Sequence, residues 1–196
     1  MKTTRIQLAQ LGEVRQGMTL SRYLDAQGPA KRVLQVANLM DGAVRAREDD
    51  RIEHVDEARA REHFARTGQV LISLRGSSLK AGVVPDGLED AVISSSLVSM
   101  DLNEELADPL FVAGLLSSQA MQQQVMPLFT GVTVQGIPLS RFKELEIDLP
   151  PLEEQRRQAT AMQALTRYQQ EVAEVVALRN EELEAHLKGF VVKERG

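Results

Sequence analysis

Leu149-Pro150-Pro151-Leu152-Glu153-Glu154-Gln155 is the stretch that sets the organisation of this chain. Two consecutive prolines hold an extended entry and then seat a first helical turn, where a missing N–H costs nothing. Glu153 and Glu154 follow in that turn, where carboxylates favour the positive end of the helix dipole. From Leu152 to Lys188 there is neither Gly nor Pro, so the spacing predicts one helix of 37 residues, about 55 Å long. Leu165, Tyr168, Val172, Val175, Leu183 and Leu187 recur on one face at three- and four-residue steps, interrupted by Arg179. Arg167, Glu171, Glu174, Glu181 and Glu184 mark the other face. A globular part of about 150 residues spans too little to cover such a stripe. The helix is therefore expected to pack as a coiled coil or helix bundle, on a partner or on a second copy, with folding back on its own domain as the alternative. The expected division is a globular domain over 1–148, a spacer and dimerisation helix over 149–190, and a tail over 191–196.

Upstream of the prolines the patterning is mixed, so the fold class is α+β. Gln69 to Leu74, between Gly68 and Gly76-Ser77-Ser78, reads as a strand. Ala81 to Val84 reads as a second, running into the turn Pro85-Asp86-Gly87 and so forming a hairpin. Val33 to Val36 is another, ahead of a turn at Asp41-Gly42, and Ala91 to Ile93 and Leu97 to Met100 are short pieces separated by three serines. Asp56 to Arg66 reads as a short charged helix. Asp108-Pro109 opens a further helix, with Asp at the N-cap and Pro at the first position. Its apolar face is Phe111, Val112, Leu115 and Leu116. Thr130 to Gly136 reads as a glycine-bounded loop.

The chain has 196 residues, of which 43% are hydrophobic, and a net charge of −5. That is enough for a sizeable core. It has no Cys, which excludes disulfides, thiolate metal sites and thiol nucleophiles. No apolar segment follows Met1-Lys2-Thr3-Thr4-Arg5, and the expected compartment is the cytoplasm. Pro109 to Ser140 carries no charge, but its glutamines and prolines argue against a membrane span. The charge is uneven: residues 1–80 hold 14 Lys and Arg against 10 Asp and Glu, whereas 81–150 hold 2 against 10. A basic face, if there is one, belongs to the first 80 residues. His54, His63 and His186 have no metal-ligand spacing, and there is no nucleophile elbow, P-loop or dinucleotide fingerprint. Neither a metal nor catalytic machinery is expected.

Ile147-Asp148-Leu149-Pro150-Pro151-Leu152-Glu153-Glu154-Gln155 closely resembles the junction between target recognition domain and conserved helix in the specificity subunits of type I restriction–modification systems. Weaker pieces fall in the family's order. They are Leu11-Gly12-Glu13-Val14 with Gly17, Val36-Ala37-Asn38-Leu39 with Asp41-Gly42, Gly68-Gln69-Val70-Leu71-Ile72-Ser73 with Arg75-Gly76, and Gly131 to Ile137. Gln69 stands where the family usually has an acid. The resemblance implies a non-catalytic subunit that reads one half of a bipartite duplex DNA target. It implies docking of an adenine methyltransferase subunit through the helix, with S-adenosylmethionine held by that partner and no cofactor on this chain. A translocase–nuclease restriction subunit is a further implied partner. Members usually carry two recognition domains and two helices; this sequence carries one of each, so it resembles a half-length form expected to act as a dimer. A stand-alone homodimeric DNA-binding regulator, an inactive remnant and a coiled-coil scaffold remain as alternatives.

Base contacts differ between members, so the candidate DNA residues come from side-chain chemistry alone. Arg75, Ser77, Ser78 and Lys80 lie in a small-residue turn where backbone can approach phosphate. Thr130, Thr133 and Gln135 form a second loop, and Arg22, Lys31 and Arg32 a third. Each is equally a solvated or structural turn on sequence grounds. Arg45, Arg47 and Arg51, interleaved with Glu48, Asp49 and Asp50, read as a self-paired exposed segment. Leu165, Tyr168, Val172, Val175, Leu183 and Leu187 are the expected dimer or partner interface.

Overall fold

A strand buried on both faces should be apolar throughout, and Val70-Leu71-Ile72-Ser73 is buried at every position. In the computed structural model, which describes residues 2–131, 135–188 and 190, this segment is a central strand of the largest sheet. The strands are β1 (Thr4–Gln7), β2 (Gly12–Gln16), β3 (Ala30–Leu34), β4 (Leu39–Met40), β5 (Gly42–Val44), β6 (Ile52–His54), β7 (Val70–Ser73), β8 (Lys80–Val83), β9 (Val92–Ile93), β10 (Val98–Leu102) and β11 (Glu146–Leu149). The helices are α1 (Glu57–Ala60), α2 (Pro109–Ser117), α3 (Gln119–Val125), α4 (Leu139–Lys143) and α5 (Leu152–Lys188). Six strands form a sheet in the order β2-β10-β7-β8-β5-β4, three form β6-β3-β9, and β1 pairs with β11. The fold is thus mixed α+β with a long C-terminal helix, as expected.

Alternation along β7 separates two cores. Val70 and Ile72 join a cluster with Val98, Met100, Phe111, Val112 and Leu116, so α2 covers that face of the sheet. Leu71 points the other way, among Leu34, Val44, Ile93 and Leu97. The β7–β8 hairpin is antiparallel, with Ser73 opposite Lys80. Asp41 and Gly42 both have positive φ, 51° and 77°, the two-residue turn that suits the twist of a hairpin, here β4–β5. Asp108 caps α2 by accepting from Phe111 N at 2.9 Å.

Three sequence expectations change in detail. The strand at Val33 ends at Leu34, because Val36–Asn38 turns in a 3-10 helix. Asn38, almost fully buried, drives that turn. It accepts from Gln35 N and donates to Arg45 O and Asp50. The charged helix over 56–66 is α only for Glu57–Ala60, then 3-10 for Arg61–His63. Phe64 and Ala65 are drawn out to pair with Val92 and Ala91. Val92–Ile93 and Val98–Leu102 enter different sheets rather than one broken strand.

The chain divides into two compact units, Met1–Ala159 and Thr160–Gly196. The first extends beyond the prolines because Gln155 and Ala159 are buried in it. Gln155 is fully buried, donates to Leu106 O (2.9 Å) and Pro150 O (2.8 Å), and accepts from Asp108 N (2.9 Å). The second unit is described through Lys188 and at Phe190; the expected tail, 191–196, lies outside the described residues. Among the described residues no helix is long and apolar enough to cross a membrane.

Two stability outcomes follow from these polar centres. Gln155→Leu keeps the volume but strands two carbonyls and an N–H, so we expect a loss of about 2–4 kcal/mol in a denaturant melt. Burial alone would raise the pKa of Asp50, but hydrogen bonds from Arg47 N, Asn38 and Arg32 hold its carboxyl below the ordinary range. Its contribution is complete above the unfolded value of about 4 and is lost as pH falls through the lower folded value. Asp50→Asn is therefore expected to lower the melting temperature at pH 7 and to flatten its fall below pH 4, read by thermal melts across pH 2–7.

Candidate nucleic-acid interface

Strand register brings the candidate residues to one end of the six-stranded sheet. Gln16 at the end of β2 faces Val98 at the start of β10, which faces Ile72 near the end of β7. The turn after β7 leads back into β8 at Lys80. The loop after α3 docks on the same end. Arg75 bridges Gly136, Ile137 N donates to Leu74 O at 2.8 Å, and Gly76 N donates to Gln135 O at 3.0 Å. The expected glycine-bounded loop is closed by Thr130 and Gly136, which exchange two backbone hydrogen bonds of 2.9 Å.

Two open clefts lie here, of about 460 and 400 Å³. The larger is lined by Gln16, Leu74, Arg75, Ser96, Val98, Thr130, Gln135 and Ile137, among others. The smaller is lined by Met18, Leu20, Val36, Arg51, Arg75 and the serines 94–96, among others. Arg75 and Ser96 line both, so the clefts meet at those two residues. The backbone of Arg75 is tied to its surroundings through Ser73 Oγ and Gly136 while its side chain is exposed. Among the described residues no carboxylate pairs with Arg75, Lys80 or Arg22. Arg5, Arg15, Arg47, Arg51 and Arg66 are each held by an acid. Self-pairing of the 45–51 segment is thus partial: Arg47 pairs with Asp49, but Arg51 pairs with Glu53 and Asp50 with Arg32.

The structure therefore joins two of the sequence-derived groups. Arg75, Thr130 and Gln135 share one cleft. Ser77 and Ser78 lie in the β7–β8 turn beside it, and that turn is anchored by Gln122, whose amide bonds both Leu79 N and Leu79 O. Lys80 is exposed at the start of β8. Thr133 lies outside the described residues. The third group does not hold together. The Lys31 side chain is only 8% exposed, paired with Asp90 and with Glu57 at 3.5 Å, and its ammonium lies 5.3 Å from the Phe64 ring centroid. Hydrogen bonding to Asp90 holds its pKa above the ordinary lysine range. Arg32 bonds Asp50 at 2.5 Å and Arg47 O at 2.9 Å. Both cations are thus engaged by acids of the same chain. Arg22 is exposed in the turn after Leu20.

Sequence reasoning missed Gln16 and the serines 94–96. Gly17 held the signal. A Cβ there would lie 2.1 Å from Ser94 O, so only glycine allows these segments to touch. Met18 N then donates to Ile93 O and Ser95 N to Met18 O, both at 2.8 Å. Gln16 donates its amide to Ser95 O at 2.7 Å and Leu97 O at 3.0 Å. Of the histidines, His54 bonds Gly28 O and His63 bonds Tyr23 Oη. Among the described residues no group of acids and histidines could hold a metal ion.

In the helical unit, Leu165, Tyr168, Val172, Val175, Leu183 and Leu187 are all exposed, at 43–64%. At about 100° per residue, Leu165, Val172, Val176, Leu183 and Leu187 fall close to one line, with Tyr168 and Val175 on its flank. Val176, 52% exposed, is therefore a central stripe residue that the three- and four-step count omitted.

A family model described as the type I restriction modification DNA specificity domain matches residues 4–181. Among solved structures, the chain is similar to the type I restriction–modification S subunit from M. genitalium, with 17% identity and a TM-score of 0.55 over 91% of this chain and 43% of that one. It is similar to the HsdS subunit from Thermoanaerobacter tengcongensis, with 20% identity and a TM-score of 0.59 over 90% and 40%. A third chain comes from work on complex assembly and conformational transition of the type I R-M system; it shares 23% identity, with a TM-score of 0.63 over 96% and 43%. At these identities the likeness is one of fold. This chain spans about two fifths of the length of those solved chains. No curated protein sequence matches it. The match over most of its residues means that the chain belongs to the type I restriction–modification DNA specificity domain family.

Proposed function

We propose that this chain reads part of a duplex DNA target through the paired clefts and joins its partners through α5. The chemistry on DNA belongs to a partner subunit. The observation that carries this reading is Arg75, a cation with no carboxylate partner among the described residues, where the two clefts meet. A free guanidinium can meet guanine or phosphate, whereas a paired one must first break its ion pair. The net charge of −5 argues against strong binding by the isolated chain, because phosphate neutralisation supplies most non-specific affinity. A partner that adds basic surface resolves this. An adenine methyltransferase subunit, holding S-adenosylmethionine, is the partner that family membership favours; a restriction subunit would join the same assembly. The exposed stripe on α5 supports packing against such a partner or a second copy, since a lone helix cannot shelter it. Reading one half of a two-part target would then fall to each copy of the recognition domain.

Two outcomes test this. Arg75→Glu is expected to weaken duplex binding roughly tenfold and to reduce the salt slope by about one. Equal affinity at low salt would remove the cleft from the DNA site. Val172→Asp is expected to weaken self-association, or capture of a methyltransferase subunit from host lysate, about a hundredfold. Sedimentation and pull-down read the two cases, and parental assembly in both would end the helix-packing model.

A further inference from the structure

Gln16 is a locked acceptor. Its amide nitrogen donates to Ser95 O at 2.7 Å and Leu97 O at 3.0 Å. A flipped amide would set oxygen against two carbonyl oxygens, so the chemistry admits one orientation. Both amide hydrogens are used, and what Gln16 still offers the larger cleft is Oε1, which can only accept. Arg75, in the same cleft, can only donate. Gln16 ends β2 and Arg75 lies two residues beyond β7, and those strands flank β10.

We infer that Gln16 and Arg75 together read a single G·C base pair, Arg75 donating to guanine O6 and N7 and Gln16 Oε1 accepting from the cytosine 4-amino group. In the major groove guanine presents two acceptors and cytosine a donor, the complement of this pair of side chains. An A·T pair offers Arg75 a single purine acceptor beside an amino group. Gln135 differs from Gln16: its backbone carbonyl anchors Gly76, but among the described residues no hydrogen bond holds its side-chain amide in one sense. The inference rests on the DNA-reading function proposed above and adds which residues choose the base.

The test starts with selection of bound duplexes from a randomised library by the full chain at low salt. One required G·C position is expected. At that position, 7-deazaguanine removes the N7 acceptor and 2-pyrimidinone in place of cytosine removes the amino group. Each is expected to cost the parent protein about tenfold. The 7-deazaguanine loss should vanish in Arg75→Ala, and the 2-pyrimidinone loss in Gln16→Met, as a paired cycle requires. A merely structural role for Gln16 would weaken all duplexes alike. Selected sequences lacking a G·C requirement, or analogue losses undiminished in Arg75→Ala, would overturn the assignment and leave DNA reading intact. Failure to bind any duplex, alone or with its captured partner, would overturn both. Arg75 is exposed, so its cycle decides the matter even if Gln16→Met fails to fold.

Discussion

The amide of Gln155 is the interaction on which the first unit depends. It is fully buried and uses both its amide hydrogens and its oxygen on Leu106 O, Pro150 O and Asp108 N. Those three backbone groups come from the segment that opens α2 and from the proline pair that opens α5. One side chain thus joins the start of the helix covering the sheet to the start of the long helix. An unpaired buried amide or carbonyl is costly, so the position tolerates little besides glutamine. The proline pair shapes the entry; the glutamine holds it in place.

The rest of the site rests on a similar economy of polar groups. Asn38 and Asp50 tie the 35–51 segment together, and in doing so consume Arg32. Lys31 is consumed by Asp90 and Glu57. More than half of the cations in the first 80 residues are held in ion pairs. What stays available is set by which cations find no acid, and Arg75 is one of these. Its side chain is free because no carboxylate among the described residues reaches it, while Ser73 Oγ and Gly136 fix its main chain at the rim of both clefts. A chain with a negative net charge can in this way still present unpaired cations.

The α5 stripe is the counterpart at the other end of the chain. Its apolar residues recur at helical spacing, and charge interrupts the face at Arg179, which pairs with Glu182 at 2.8 Å. The proposed reading and assembly surfaces thus lie on different units, a cleft on one and a helix face on the other.

What the sequence determined by itself is what depends on neighbours within a few residues. The length of α5, the Asp108 cap, the Asp41-Gly42 turn and the β7 strand were legible because periodicity, capping and turn chemistry are local. The Gln155 motif was legible as a pattern, but its work was not, since its partners Leu106 and Asp108 lie more than 40 residues away in sequence. The site divided in the same manner. Arg75, Thr130 and Gln135 could be named by type, but only strand register and the Arg75–Gly136 bridge put them in one cleft. Lys31 and Arg75 look alike in sequence. Tertiary structure separated them, because an ion pair is decided by which distant carboxylate the fold brings near: Asp90 reaches Lys31, and among the described residues none reaches Arg75.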